Sequence, residues 1–449
     1  MFKTLNRLAL SLLLLLFLTQ IGSAQVHFDV QKFTLDNGLT LLVAEDHSAP
    51  VASFSIWYKV GSKYERPGIT GISHMCEHMM FKGTRKVRPE EFSKIVQANG
   101  GIVNAWTSFD NTTYWEKVSG DKLELVMSLE ADRLKNLKLA NEDFQPERNV
   151  IAEERRQTLD DQPFDAVFEQ LLNHTFVAHP YHWIVIGFMS DIQSWTFDQL
   201  KNHFKTYYVP NNAVAVVAGD IKAEDALKLT KKYFGKIKAG PAPTKVTEIE
   251  PEQLGERRIE VHKIAQLPGL AVSYKVPKLG DPDSYPFEVA AKILFSGQSS
   301  RVYKKMVYDE QMALFVDGGA WILQDAGVFY AFVGMQPGRD LKEGEKALFA
   351  EIDRLCTEPV SEKELQKAKN QLESEFVFGL QGADNKGFQI GHYEAIYGDY
   401  KLLFEIGEKY QAVTVEDVMR VAKKYLDPRK RTIALLIPEA PPTAMTEQR

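Results

Sequence analysis

At 449 residues the chain is too long for one compact core, so two or more domains are expected. Its composition, 44% hydrophobic, 25% charged and 11% aromatic, is that of an ordinary soluble globular protein, without low-complexity tracts. The formal charge of −6 argues against a dedicated nucleic-acid binder, which would carry a basic field.

In chain order, Lys3 and Arg7 flank the start of an apolar run over residues 8–18, and Ile21-Gly22-Ser23-Ala24 closes it with small residues. This is the pattern of a secretory signal peptide, residues 1–24, cleaved after Ala24. The run is too short to span a bilayer comfortably, no later stretch reaches about 18 apolar residues, and no lipoprotein-type cysteine follows. The mature chain is therefore expected to be exported, to the periplasm, with no stable membrane anchor. Two cysteines, Cys76 and Cys356, are too few for a disulfide framework, so both are expected as buried, unpaired thiols.

Strand-like alternation opens the mature chain at residues 28–33 and 41–44, around a turn at Asp36-Asn37-Gly38, and returns at 51–60. Helical periodicity runs from Thr70, which can cap a helix that Gly83 ends, again over 89–98, and strongly over 122–134. Without the regular βαβ rhythm of a doubly wound sheet, an α+β fold fits best. Residues 241–257 read as a linker, with prolines and then charge. Its two sides look alike. Thr196-Phe-Asp-Gln-Leu…Tyr207-Tyr-Val-Pro210 matches Thr414-Val-Glu-Asp-Val…Tyr425-Leu-Asp-Pro428 at a constant offset, each followed by a short apolar strand. The expected organisation is a duplication: domains 25–240 and 258–440, two homologous halves, each a largely antiparallel sheet flanked by helices.

Chemistry concentrates in Gly71-Ile-Ser-His74-Met-Cys-Glu77-His78-Met-Met-Phe-Lys-Gly83. On a helix, His74 and His78 stand four apart, on one face, where two imidazoles can converge on one ion. Glu77 shares that face and can act as general base without ligating the metal, the H-x-x-E-H pattern of inverted zincins. The flanking residues are apolar, and polar groups set among them need partners or a metal. Cys76 faces the other way. A catalytic zinc takes three protein ligands, so a third must come from elsewhere. Residues 146–158 read as a helix with Pro146 in its first turn, and Glu147 and Glu154 fall on one face of it. Spacing alone leaves Glu147, Glu153 and Glu154 all open. His174, His179 and His182 are assigned nothing. Asn104, Ala105, Trp106 and Thr107 alternate like a strand.

Three segments carry a resemblance: residues 74–84, the Gly100-Gly101-x-x-Asn104-Ala105-x-Thr107 run, and the Glu147…Glu154 helix. With them the chain resembles the pitrilysin/insulinase family of metallopeptidases, which includes the mitochondrial processing peptidases. The resemblance implies one zinc ion (Zn2+) per chain held by His74, His78 and Glu154, with Glu147 as a supporting catalytic carboxylate. It also implies halves facing each other around a peptide chamber, with residues 104–107 as an exposed edge to which an extended substrate adds. Family members that act alone carry an arginine and, seven residues on, a tyrosine in the second half. Here Tyr308 and Phe315 stand in those places, and Arg301 and Tyr303 have the wrong spacing. The implied function is an exported zinc metalloendopeptidase of peptides or unfolded polypeptides, the metal-bearing subunit of a two-subunit enzyme whose homologous partner supplies that pair. The alternative is a non-catalytic peptide-binding or scaffold subunit.

Overall fold

The computed structural model describes residues 27–440, so the signal peptide expected at 1–24 lies outside the described residues. Among the described residues, eleven strands form two sheets. The first contains β1 (Gln31–Thr34), β2 (Thr40–Glu45), β3 (Val51–Tyr58), β4 (Ile102–Thr107), β5 (Thr112–Ser119) and β6 (Ala213–Gly219), in the order β1-β2-β6-β3-β5-β4. The second contains β7 (Arg257–Ile264), β8 (Gly269–Val276), β9 (Ala313–Ile322), β10 (Gly327–Met335) and β11 (Arg431–Glu439), in the order β7-β11-β8-β10-β9. Leaving out β1, the orders are the same, and the parallel pair β2/β6 recurs as β7/β11 while the other neighbours are antiparallel. The duplicated helices Phe197–Tyr207 and Val415–Tyr425 each begin with a capping box, on Thr196–Gln199 and Thr414–Asp417. The chain is thus α+β, built as two homologous halves.

Six helices matter here: α1 (Ile72–Met79), α2 (Asn141–Arg155), α3 (Pro163–Thr175), α4 (Ser284–Phe295), α5 (Glu362–Phe378) and α6 (Ala383–His392). The strand β6, Ala-Val-Ala-Val-Val-Ala-Gly, is buried at every position, as a continuous apolar run demands when both faces of a sheet are covered. Ala213, Ala215 and Val217 join the core that also holds Met75 and Met79 of α1. Val214, Val216 and Ala218 point the other way, into a core shared with Ala383 and Ile390 of α6. So the far face of the first sheet is covered by a helix from the second half. The reverse holds as well: α3, from the first half, lies on β7, β8 and β11, with Val167 and Leu171 against Ala271, Ala434 and Leu436. Contact is close; a Cβ on Gly391 of α6 would come within 2.4 Å of the Trp57 indole.

Three sequence expectations change. The helix carrying Glu147 and Glu154 starts at Asn141, which puts Pro146 inside it rather than in its first turn. Pro146 sits on the solvent side of the helix, as does Glu142, whose carbonyl loses its N–H donor to the proline. Thr70 does not cap α1; Gly71 holds the cap position at a φ of 86°. Both cysteines are unpaired, but only Cys76 is buried, Cys356 being half-buried.

Because α6 covers the far face of the first sheet, residues 25–240 produced alone are expected to expose Trp57, Val214, Val216 and Ala218, bind a hydrophobic dye and lack a cooperative unfolding transition. Co-production with residues 241–449 is expected to abolish dye binding and restore a cooperative transition, by denaturation followed with fluorescence. Cooperative unfolding of the first half alone would contradict the exchange as a folding requirement.

Candidate metal centre

Helix α1 is bound to the first half by its apolar side. Ile72, Ser73, Met75, Cys76 and Met79 are buried, which turns His74, Glu77 and His78 outward on the opposite side. Its start is held by two acidic side chains. Glu65, fully buried, accepts from the backbone N–H of Gly71 at 2.7 Å and of Ser73 at 2.8 Å. Asp191 accepts from the N–H groups of Gly68 and Thr70 and from the Thr70 hydroxyl, at 2.9, 3.0 and 2.8 Å. The Gly71 position admits no side chain, since a Cβ there would lie 2.2 Å from the Ile186 carbonyl. This close approach brings the loop at 184–187 against the helix start.

One ligand atom from each of His74, His78 and Glu154 lies within 4.8 Å of the others. Zinc ligands in a tetrahedron, at about 2.0–2.2 Å from the ion, stand ~3.4 Å from one another. The two Nε2 atoms are 3.2 Å apart, and Glu154 oxygens lie 3.9 Å from His74 Nε2 and 3.5 Å from His78 Nε2. Two imidazoles and one carboxylate at these separations fit the donor set of a catalytic zinc. The histidines are supported unequally. Glu147 Oε1 lies 2.8 Å from His78 Nδ1, and its Oε2 is 2.7 Å from Lys82 Nζ. His74 Nδ1 is buried with no hydrogen-bond partner among the described residues. Glu153 turns away, to Arg156 and Gln157.

The charges follow this arrangement. Burial pushes the His74 imidazole down to about 3, with help from neighbouring His78, and keeps it neutral as a ligand must be. Burial also opposes a charged His78, but the hydrogen bond and charge of Glu147 overcome it and raise that group. Glu147 is lowered: burial works against the carboxylate, and the bonds from His78 and Lys82 prevail. Burial raises Glu77, against a hydrogen bond of 2.6 Å from the Thr107 hydroxyl.

Glu77, His74 and Glu154 open on a cavity of about 490 Å3. Ala105, Trp106 and Thr107 of β4 line it, and Phe109, Phe168 and Trp321 form an apolar wall. β4 is the outermost strand of its sheet, paired to β5 alone, so its other edge is open. Asn104 is exposed and lies outside the cavity lining. Arg301 is engaged with Glu364 at 2.7 Å, Tyr308 is 72% exposed, and Phe315 packs edge-on against Phe164; none of them lines the cavity. His174 bonds the Gln170 carbonyl, and His179 lies 3.7 Å from Asp325.

Sequence reasoning missed Lys82, Glu65 and Asp191. Lys82 had a local signal, four residues after His78 on a helical path. Asp191 lies more than a hundred residues from the turn it holds, and no pattern links them.

Residues 40–187 match the family model described as Insulinase (Peptidase family M16), and residues 194–372 match the one described as Peptidase M16 inactive domain. The zinc protease PqqE of Helicobacter pylori is 33% identical over 413 residues, 91% of this chain and 93% of that protein. The probable mitochondrial-processing peptidase subunit beta of Arabidopsis thaliana is 27% identical over 420 residues, 90% of this chain and 78% of that one. The crystal structure of a protease from Helicobacter pylori superposes with a TM-score of 0.89 at 33% identity, covering 92% of this chain and all of that one.

Burial pushes the Glu65 carboxyl up to about 8, against its two backbone hydrogen bonds, from an ordinary value of 4.5. Between these values the folded chain binds the proton that the unfolded chain has released, so this group makes stability fall as pH rises from about 4.5 to about 8. In urea denaturation across that range, Glu65→Gln is expected to flatten the decline relative to wild type. An unchanged slope would remove Glu65 as its source.

Proposed function

Because the chain belongs to the insulinase family of peptidases (family M16), we propose that it is an exported zinc metalloendopeptidase acting on peptides or unfolded polypeptides. The observation that carries this reading is the convergence of His74, His78 and Glu154, drawn from two helices, beside Glu77 in a cavity bordered by an open strand edge. A zinc ion held by these three residues would supply Lewis-acid polarisation of the scissile carbonyl and a water of lowered pKa.

The remaining work falls to side chains and main chain. An extended substrate adds to β4 by main-chain hydrogen bonds, which favours unfolded segments and reads little sequence. Glu77 takes the proton of the attacking water on its carboxylate and returns it to the leaving amide nitrogen. Glu147 orients His78 through Nδ1, so that Nε2 presents its lone pair, and Lys82 holds Glu147 in turn. The apolar wall of Phe109, Phe168 and Trp321 limits water around the reacting bond.

The exposed Tyr308 and the Phe315 ring, standing where the resembling family carries arginine and tyrosine, favour a two-subunit enzyme. In this proposal a homologous partner supplies that pair across the chamber. Export rests on residues 1–24, with the periplasm as destination; no helix among the described residues is long and apolar enough to cross a membrane. The same missing pair favours, as the second reading, a non-catalytic peptide-binding subunit.

The test uses residues 25–449 purified, zinc-loaded and mixed with an unstructured peptide. One zinc per chain and cleavage are expected, with Glu77→Gln lowering kcat at least ~100-fold while retaining the metal. Zinc without cleavage, even after adding candidate partners, would favour the second reading; no zinc after reconstitution would overturn the centre. Glu147→Gln is expected to weaken zinc binding about 10- to 100-fold in chelator competition. Unchanged affinity would leave Glu147 no supporting role.

A further inference from the structure

Thr107 lies at the end of β4, and its side chain does not face the same way as that of Trp106. Trp106 is fixed on its side by rings, edge-on to Trp57 at 5.5 Å and to Phe388 of α6 at 5.4 Å. The hydroxyl of Thr107 reaches α1 and donates to Glu77 Oε2 at 2.6 Å, the length of a charge-assisted O–H···O⁻ bond. Directly opposite in register on β5 is Thr112, fully buried. Thr112 donates to the Val60 carbonyl at 2.9 Å and lies 3.4 Å from the Thr107 oxygen. Thr112 acts as donor in both contacts, the closer one to Val60 and the longer one to the Thr107 oxygen, so the Thr107 hydroxyl keeps its own proton for Glu77. Threonine is stiff at χ1, so a pinned backbone also pins the hydroxyl.

The consequence concerns Glu77. Oε2 is engaged, Oε1 makes no hydrogen bond among the described residues, and the side chain lines the cavity with His74 and Glu154. We infer that Thr107 is a positioning residue that aims the carboxylate of Glu77, so that the strand on which the peptide docks also sets the base. Main-chain bonds of a docked peptide would form along the open edge of β4, while the Thr107 side chain leaves the strand toward α1. Docking and proton transfer then share one rigid frame, and the register of the peptide is tied to the direction of the base. This rests on the peptidase reading above.

The experiment compares zinc-loaded wild type, Thr107→Val and Thr107→Ser, all as residues 25–449 with any partner that activity requires. Valine keeps the β-branched shape and strand preference and removes only the hydroxyl. Thr107→Val is expected to lower kcat on the order of 10- to 100-fold with KM changed less than about twofold, as misaim of a base should. Zinc content and unfolding midpoint are expected to match wild type, and Thr107→Ser to recover most of kcat. A raised KM with kcat kept would assign Thr107 to docking and overturn the inference, as would wild-type kcat in Thr107→Val. Crystal structures of the loaded wild type and Thr107→Val give a readout independent of turnover. A Glu77 carboxylate displaced or spread over several rotamers supports the inference; one unchanged rotamer overturns it. Should the wild type bind zinc and cleave nothing, the peptidase reading fails, and the position of the carboxylate still decides the role of Thr107.

Discussion

Helix α1 rests its apolar side, with Ile72, Met75, Cys76 and Met79, in the first-half core, and the chemistry of the chain depends on that seating. An eight-residue helix has little stability of its own in water, so tertiary contacts must hold it. The packed side fixes its rotation, and the buried Glu65 carboxyl group fixes its start by accepting from the N–H groups of Gly71 and Ser73. With rotation and start both set, His74 and His78 can stand outward at a separation of 3.2 Å between Nε2 atoms.

The central strands of each sheet are covered on both faces, and one cover comes from the other half. Helix α6 lies over β2, β3 and β6, while α3 lies over β7, β8 and β11. The exchange makes the second half part of the site although His74, His78 and Glu154 all belong to the first. Phe388 of α6 backs Trp106 and Trp115, and so steadies the edge strand from behind. Phe168 of α3 meets Trp321 of β9 at 5.1 Å, closing the apolar wall of the cavity. A match to a model described as an inactive domain is compatible with this: the second half contributes walls and support rather than ligands.

Charge at the centre is one-sided. Glu77, Glu147 and Glu154 surround two imidazoles, and Lys82 is the cation directly paired with this group, through Glu147. Carboxylates gathered in a half-buried place repel one another unless a cation joins them, which is the physical reason the donor set suits a divalent ion. The histidines differ in support: His78 is oriented by Glu147, whereas His74 relies on the packing of α1 and its own burial.

Much of this was legible in the sequence because it is local or repeated. The four-residue spacing of His74 and His78, with Glu77 between them, follows from helical geometry once the apolar flanks call for a helix. The duplication was legible because two copies of a capped helix, a proline turn and an apolar strand stand at one offset. Other features were decided by tertiary structure alone. Spacing could not separate Glu147, Glu153 and Glu154; packing of α2 against α1 aims the first at Nδ1 of His78, the third at both Nε2 atoms, and the second at solvent. Thr70 looked like a cap, yet Asp191 takes its hydroxyl and Glu65 takes the helix start. No pattern joins Phe388 to Trp106, or Phe168 to Trp321. Periodicity records neighbours within a turn or two of the chain, and so it determined the helix, its two imidazoles and the carboxyl group between them. The approach of Glu154 to the two imidazoles, the exchanged helices and the cavity arise from contacts across long separations, which only the burial of complementary faces in the folded chain could select.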